Sequence, residues 1–549
     1  ESFARTVLEL NTEGRPLTDS MTTQRFMMTP ALMEFYAFLD AWQVDDAGKV
    51  TDRFKLANPG ASITAEASAG PIPIAESIDP TNPNFMHWYD PDVATDGNSG
   101  PGCAADPLVY PASALTLHYL LQGSLDNRKG TAGTNCGGVG GSLATAQLTA
   151  DDFGAWKMVT IRPPNPGEAP TRFYDLPTLR SASELVLQVP RVGFFSTPAF
   201  FANWQTNVSN TMRVTANQAL IVATGAAIDG TDTTTPSSTP GLDAAHAAPG
   251  SACFHCHQLL DPTRSILSAT YSWNYHDQTD ASLTGERGLF AFEGVVKPVS
   301  SVGDFGAALA THPLFAAAWA QKLCFYGASR ACEPTDPEFQ RVVGVFQSSG
   351  YAWGALVREL FSSPLFTNAA ATQTSNDSGE VVAVSRRDHL CAALDARLGY
   401  TDICGLDPAV TGSGKTIIPQ IVPGLPSDGY GRGATAPVLP NQPTLFYRAG
   451  TENICEAVAA LVIDPPKAGA APAATNPKQW SSAQPTPAIA DFVQIVMGLP
   501  PSDPRSTQAS AILTSHFQAA VASGASASDA LKSTFTTACL APSAVAIGL

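Results

Sequence analysis

The chain has 549 residues, which is long enough for about three or four domains and for more than one hydrophobic core. It carries 31 Lys and Arg against 48 Asp and Glu, a formal net charge of −17. This charge argues against nucleic-acid binding and against docking on an anionic membrane surface, and it permits a basic protein partner. No apolar run approaches the roughly 20 residues that span a bilayer, so we expect no transmembrane segment.

The first half of the chain alternates between helical patterns and loop-like composition. Apolar residues at helical spacing, or a proline at a helix start, predict helices over 20–44, 111–122 and 211–225. The segments between them are rich in Gly, Pro, Asn, Asp, Thr or Ser and are predicted to be loops, over 57–110, 123–142 and 225–250.

The second half is predicted to be more helical than the first. Helical periodicity covers 303–327, 336–366, 487–498, 504–523 and 526–540. Two segments rich in Gly, Pro or Ala are predicted to be irregular or flexible, over 405–442 and 466–486.

Ten cysteines divide into a motif and a remainder of eight. Cys253 and Cys256 belong to the pentapeptide Cys253-Phe-His-Cys256-His257, and sequence order suggests local disulfides among the others: Cys103–Cys136, Cys324–Cys332, Cys391–Cys404 and Cys455–Cys539. Eight reduced, buried thiols are the alternative. Close pairs in a chain rich in Thr, Ser and Ala favour disulfides and an oxidising compartment.

The C-x-x-C-H pentapeptide is the motif that carries chemistry. In covalent haem attachment the two thiols add to the haem vinyl groups, and the histidine ligates the iron through its imidazole. We therefore expect one haem c, attached at Cys253 and Cys256, with His257 as the proximal iron ligand. A redox C-x-x-C or half of a zinc site is the alternative, but the sequence has neither a βαβ context nor a second Cys/His pair at short spacing.

The sixth iron ligand is left open by the sequence. His276 lies 19 residues after His257, a loop long enough to reach across the ring, and it is the first candidate. The other candidates are methionines or histidines elsewhere in the chain: Met27, Met28, Met212, Met497, His87, His118 and His312. A sixth position with no protein ligand is the remaining possibility. A hydrogen-bonded core histidine or a packed methionine is the alternative interpretation of each.

Several segments resemble the planctomycete- and myxobacterial-type cytochrome c-like proteins. The haem segment ACFHCHQLLDP is followed by YSWNYH, and its Asp261-Pro262 stands where that family has an Asp-Pro. Residues 193–221 and 315–366 resemble the segments before and after the family's motif, and TTQRFMMTPALMEFYAFLD and DALKSTFTTACLAP resemble the myxobacterial branch. The resemblance implies an exported, mainly helical haem c protein and implies no particular reaction.

These observations predict a mainly α protein with long loops, in which a cytochrome c-like haem segment is embedded in a larger, disulfide-stapled, multi-module helical chain. The expected regions are an N-terminal helical and loop domain (1–177), a haem c-binding region (178–300), a helical module (301–370) and a C-terminal helical domain with Gly/Pro-rich loops (371–549). Asp90, Asp92, Asp96 and Asn98 partly resemble a calcium-binding loop, but the ligand spacing is not met and a solvated turn is favoured.

The expected function is electron transfer by an exported monohaem cytochrome with a redox partner protein, which the acidic surface suggests is basic. The expected location is the periplasm, the outer-membrane surface or the extracellular space, with a signal peptide already removed. A haem enzyme of peroxidase or oxygenase type with an open sixth site is one alternative. A surface or filament protein that uses haem as a staple, as a homo-oligomer or larger assembly, is the other.

Overall fold

The structure of this chain is a computed structural model, described over part of its length. The described residues are 1–40, 63–66, 72–77, 82–84, 87–89, 108–110, 124–125, 141–142, 148–173, 175–204, 212–251, 253–268, 288–379, 382–405, 418–425, 433–437, 439, 445–465 and 477–547. They form two compact units, the first of residues 1–319 and 345–356 and the second of residues 320–344 and 357–549. The predicted mainly α class is confirmed. The four predicted regions stay a prediction.

The first unit is built from short helices. They are α1 (Ser2–Thr12), α2 (Pro30–Phe38), α3 (Ile74–Ser77), α4 (Ala150–Gly154), α5 (Leu176–Ser181), α6 (Pro198–Asn203), α7 (Arg213–Thr224), α8 (Phe254–Ser268) and α9 (Val302–Ala310). Several begin with a proline at their first or second position behind a Thr or Asp cap, since the missing N–H of proline is not needed there. In α2, for example, the Thr29 side chain accepts a hydrogen bond from Leu32 N.

Short strands complete the first unit. They are β1 (Arg25–Met28), β2 (Ile63–Glu66), β3 (His87–Tyr89), β4 (Leu108–Tyr110), β5 (Ser124–Leu125), β6 (Gly141–Ser142), β7 (Lys157–Arg162), β8 (Glu184–Val186), β9 (Gly288–Phe292) and β10 (Val295–Val299). β7 pairs antiparallel with β1 and parallel with β8, and β2 pairs parallel with β3 and antiparallel with β4. β5 pairs antiparallel with β6.

The hairpin β9–β10 turns on Glu293 and Gly294, both of which have positive φ, 44° and 79°. A two-residue turn of this kind matches the twist of paired strands, and glycine adopts it without strain. Strand β9 is buried along its whole length and contacts α8, the helix that begins in the cysteine motif. The hairpin therefore forms a wall beside that motif.

Three helices contain the boundaries between the units: α10 (Phe315–Ala328), α11 (Pro337–Ser348) and α12 (Trp353–Phe361). The second unit continues with α13 (Pro364–Thr367), α14 (Gln373–Ser378), β11 (Ala383–Val384), α15 (Arg387–Leu398), α16 (Ile418–Ile421), α17 (Leu445–Val462), α18 (Pro485–Asp491), α19 (Ser506–Ala522), α20 (Ala527–Cys539), α21 (Pro542–Val545) and β12 (Ala546–Ile547). Helices α17 and α20 contact each other, and their apolar faces share one core that includes Val458, Phe492 and Phe535.

Three of the four predicted disulfides are confirmed. Cys324–Cys332, Cys391–Cys404 and Cys455–Cys539 are bonded, and all three lie in the second unit. The fourth predicted pair, Cys103–Cys136, lies outside the described residues. The long bridge joins α17 to α20, so it links two helices of the core whose sequence positions are 84 residues apart.

The predicted helix over 20–44 is wrong in its first half. Residues Leu17–Met21 form a 3-10 turn, Arg25–Met28 form β1, and α2 begins only at Pro30. Proline restricts the residue before it to an extended conformation, so Thr29 ends the strand and caps the helix. The segment is extended because it pairs with β7, about 130 residues later, and local periodicity contains no information about that partner.

The other helix predictions that fall on described residues are correct in type, and the long ones are divided. α7 matches the prediction over 211–225, and α18, α19 and α20 match the last three predicted helices. The predictions over 303–327 and 336–366 each cover more than one helix, broken before Leu314 by Pro313 and again at Gly350 and Pro364. The predicted loops over 57–110 and 123–142 contain the short strands β2 to β6. The predicted helix over 111–122 lies outside the described residues.

Among the residues that the structure describes, no helix is long and apolar enough to cross a membrane.

The two longer disulfides should differ in their contribution to stability. The loop-entropy relation gives roughly 4.5 kcal/mol for the bridge across 84 residues and roughly 3 kcal/mol for the bridge across 13. We expect Cys455→Ala/Cys539→Ala to lose more unfolding free energy in urea than Cys391→Ala/Cys404→Ala. Equal losses would show that strain or residual structure, rather than loop closure, sets the contribution.

Candidate functional site

The cysteine motif forms the first turn of α8. His257 N donates a hydrogen bond to Cys253 O at 3.1 Å, so Cys253 directly precedes α8 and the other four residues lie in its first turn. Cys253 is exposed and Cys256 and His257 are half-buried, which leaves the turn open at the surface. Behind it, α8 contacts both α7 and β9, and Leu259, Leu289 and Ala291 form a small buried cluster there.

Both motif cysteines are reduced. Cys253 and Cys256 form no disulfide, although they stand three residues apart in one turn and six other described cysteines are paired. Burial, then the charges of Asp229 and Cys253, raises the pKa of the Cys256 thiol. Two thiols on one helical turn are the arrangement that covalent attachment to one porphyrin edge requires.

The imidazole of His257 is oriented by a buried carboxylate. Its Nδ1 lies 3.3 Å from the Asp261 carboxylate, and Asp261 is fully buried one turn further along the helix. A metal-ligating histidine typically donates its second ring N–H to such a group, which fixes the tautomer and raises the basicity of the ligating nitrogen. With Nδ1 directed to Asp261, Nε2 is the ring nitrogen left for a ligand, and no described residue hydrogen-bonds to it.

Asp261 is itself held by three donors. Arg213 approaches it with two, Nε at 2.6 Å from Oδ1 and Nη2 at 3.0 Å from Oδ2. The third is Asp243 N, at 3.2 Å from Oδ2. Burial disfavours ionisation of Asp261, but the hydrogen bonds and the charge of Arg213 outweigh it and lower the pKa of this carboxyl. The group therefore stays a carboxylate at neutral pH.

A second histidine packs against the first. The ring of His246 stacks on that of His257, with centroids 4.0 Å apart and planes 7° apart. His246 belongs to the 3-10 turn Ala244–His246, which Asp243 caps by accepting a hydrogen bond from Ala245 N at 2.9 Å. Since Asp243 N also donates to Asp261, the same residue places the turn and supports the carboxylate.

Acidic side chains lie beside the motif. Asp232 accepts a hydrogen bond from Glu293 N in the β9–β10 turn at 3.0 Å. The charge of Asp229 contributes to the raised pKa of the Cys256 thiol. Burial, followed by the charges of Asp232 and Asp229, raises the pKa of Glu293. We call these three acidic residues the rim of the motif.

The candidates for the sixth ligand lie in different surroundings. His312 is buried, with Nε2 3.3 Å from Phe292 O and Nδ1 accepting from Leu314 N at 3.2 Å, so both ring nitrogens are occupied by backbone groups. Met28 and Met212 are buried in the first unit, and Met497 packs on the core of the second. Two of the histidine candidates lie outside the described residues: His118 and the first candidate, His276. The residues of the disfavoured calcium loop also lie outside them: Asp90, Asp92, Asp96 and Asn98.

The sequence motif placed Cys253, Cys256 and His257 together, but it did not reveal the residues that hold the His257 imidazole in position. Arg213, Asp243 and His246 had no motif to mark them, and Asp261 was noted only as half of an Asp-Pro pair. The helical spacing of His257 and Asp261, four residues apart, was the one local signal that could have found the carboxylate. Arg213 lies 48 residues before its partner, a separation at which spacing carries no signal.

Comparison of the chain with family models, with curated proteins and with solved structures finds no match. Within the described part of the chain, no group of three or more His, Cys, Asp or Glu side chains is arranged to hold a metal ion. A haem iron needs only one protein ligand from this turn, because the porphyrin supplies four. The reduced thiols, the directed Nε2 and the buried carboxylate behind Nδ1 fit such a group.

The ion pair of Arg213 and Asp261 should dominate the stability of the site. We expect Arg213→Met to cost about 3–5 kcal/mol of unfolding free energy, because it leaves a buried carboxylate uncompensated. The double variant Arg213→Met/Asp261→Asn should cost less than the sum of the two single variants, measured by urea denaturation. As a control, Arg505→Met breaks the more exposed pair with Asp503, which solvent screens, and should cost far less unfolding free energy than Arg213→Met. Additive losses would contradict a direct coupling of Arg213 with Asp261.

Proposed function

We propose that this chain is an exported monohaem c-type cytochrome that transfers electrons at the cell envelope or surface. The observation that carries the proposal is the turn Cys253–His257, with two reduced thiols and an imidazole whose Nδ1 is directed to a buried carboxylate. Cys253 and Cys256 would hold the haem through thioether bonds, and His257 Nε2 would ligate the iron. When bound, haem c supplies a centre that accepts and releases one electron at a time.

The residues around His257 prepare its imidazole for that role. The Asp261 carboxylate accepts the hydrogen bond of Nδ1–H and increases the electron density at Nε2, which favours the more positive state of a bound metal. Arg213 opposes this effect by drawing charge from the same carboxylate. The ring of His246 covers one face of the imidazole.

Export is supported by the cysteine chemistry of the rest of the chain. Three disulfides are present, and such bonds persist in oxidising compartments such as the periplasm and the cell exterior. Covalent haem attachment at Cys253 and Cys256 belongs to the same compartments. A periplasmic, outer-membrane-surface or extracellular location is part of the proposal.

The partner we propose is a basic redox protein. The formal charge of −17 and the carboxylates of Asp229, Asp232 and Glu293 beside the motif provide a negative surface where an electron would leave. Complementary charge speeds the encounter of two proteins and fixes their orientation. This orientation would bring the partner to the side of the motif turn on which Cys253 is exposed.

Covalent haem is the first test. We expect the chain, exported to a bacterial periplasm together with cytochrome c maturation proteins, to show a pyridine haemochrome spectrum and a mass increase of one haem. Acid-acetone should leave the pigment on the polypeptide. The variant Cys253→Ala/Cys256→Ala should lose it, whereas the matched pair variant Cys391→Ala/Cys404→Ala should keep it. A colourless chain, or a pigment that is extracted, would overturn the proposal.

The midpoint potential should depend on the charge behind His257. We expect Asp261→Asn to raise the potential by tens of millivolts, because a neutral amide stabilises the oxidised metal less than a carboxylate does. Arg213→Met should lower the potential, since it removes the opposing charge. Asp503→Asn, in the exposed pair of the second unit, serves as the control and should leave the potential unchanged. If the midpoint potential moved in the same direction in Asp261→Asn and Arg213→Met, the hydrogen bond assigned between His257 and Asp261 would be contradicted.

A further inference from the structure

A cavity of about 530 Å³ opens in the first unit among α1, α2, α4 and α6. Five aromatic side chains line it: Phe3, Phe35, Tyr36, Phe153 and Trp156. Its described lining includes no residue of the cysteine motif, so it is distinct from the candidate haem site. The volume and the largely apolar wall are typical of sites that bind small molecules.

One wall of the cavity is held in place by an ion pair. Glu1 Oε1 accepts hydrogen bonds from Arg5 Nη2 at 2.7 Å and Nε at 3.0 Å, and the Arg5 guanidinium lies 4.8 Å from the centre of the Trp156 ring. A cation over an aromatic face is attractive and fixes the ring's orientation. Phe153, a large apolar side chain of the cavity lining, is 59% exposed.

The hydroxyl groups of Ser and Thr in the wall are engaged with the backbone. Ser2 Oγ donates to Met27 O at 2.6 Å, and Thr197 Oγ1 donates to Phe194 O at 2.8 Å. Thr29 Oγ1 accepts from Leu32 N at 3.2 Å as the cap of α2. These hydroxyls hold the walls together and present little polarity to a ligand.

Tyr36 is the exception. It is 5% exposed, lines the cavity, and its hydroxyl hydrogen-bonds to none of the described residues. A buried tyrosine hydroxyl normally has a partner, as Tyr447 has in the second unit, where it donates to Val545 O at 3.2 Å. Burial raises the pKa of Tyr36 to about 12, so its phenol keeps the proton at neutral pH and is a donor that no described protein group accepts from.

We propose that this cavity binds a planar, largely apolar aromatic compound that bears a carbonyl oxygen, and that the Tyr36 hydroxyl donates a hydrogen bond to that oxygen. The aromatic walls recognise the ring system, and Tyr36 selects for the acceptor. The proposal is independent of haem attachment, because it uses none of the residues around His257.

The test compares two probes that differ by one carbonyl group, 1-indanone and indane. Their dissociation constants are measured by equilibrium dialysis with the full chain. We expect both probes to bind the wild-type chain. In Tyr36→Phe, the preference for 1-indanone over indane should fall about two- to tenfold, as expected from the loss of one neutral hydrogen bond.

Two further variants separate the cavity from the hydrogen bond. Ala202 lines the cavity and is exposed. We therefore expect Ala202→Trp to fill the opening without disturbing the core and to raise the dissociation constants of both probes at least fivefold. Tyr400→Phe changes a tyrosine of the second unit that is also 5% exposed, and it should change the dissociation constant of neither probe. The proposal fails if neither probe binds, if Tyr36→Phe leaves the preference unchanged, or if Ala202→Trp has no effect. A hydroxyl that meets only water would give the second of these results.

Discussion

The ion pair between Arg213 and the fully buried Asp261 is the interaction on which the arrangement around His257 depends. A carboxylate with no exposed surface is costly unless its charge is compensated and its oxygens accept hydrogen bonds. Arg213 and the backbone N–H of Asp243 meet both requirements. Because these donors come from α7 and from the turn before the motif, one carboxylate joins three segments of the chain.

This arrangement gives the site a layered electrostatic structure. The positive charge of Arg213 lies behind the carboxylate, the carboxylate lies behind the imidazole, and the acidic residues Asp229, Asp232 and Glu293 lie at the rim. Each layer contacts its neighbour: Arg213 keeps Asp261 ionised, and the Asp261 carboxylate lies 3.3 Å from Nδ1 of His257. The rim acts at longer range, on whatever approaches the exposed edge of the turn.

The two units use cysteine in different ways. The described disulfides all lie in the second unit, where the bridge Cys455–Cys539 ties together two core helices that also share apolar contacts. The first unit instead presents Cys253 and Cys256 as free thiols on a surface turn and contains the aromatic cavity around Tyr36. The candidate reactive residues therefore lie in the first unit, and the described disulfide bonds lie in the second.

Local sequence determined the features that depend on near neighbours. The mainly helical class, the last three helices, the thiol spacing of the CFHCH turn and the three observed disulfides all follow from periodicity, from the spacing of cysteines or from their order along the chain. Tertiary structure alone decided that Arg25–Met28 is a strand, that Arg213 meets Asp261 and that His246 stacks on His257. The reason is physical: in those cases the stabilising partner is another segment of the chain, and the free energy gained on contact overrides or supplements a local preference that is weak by itself.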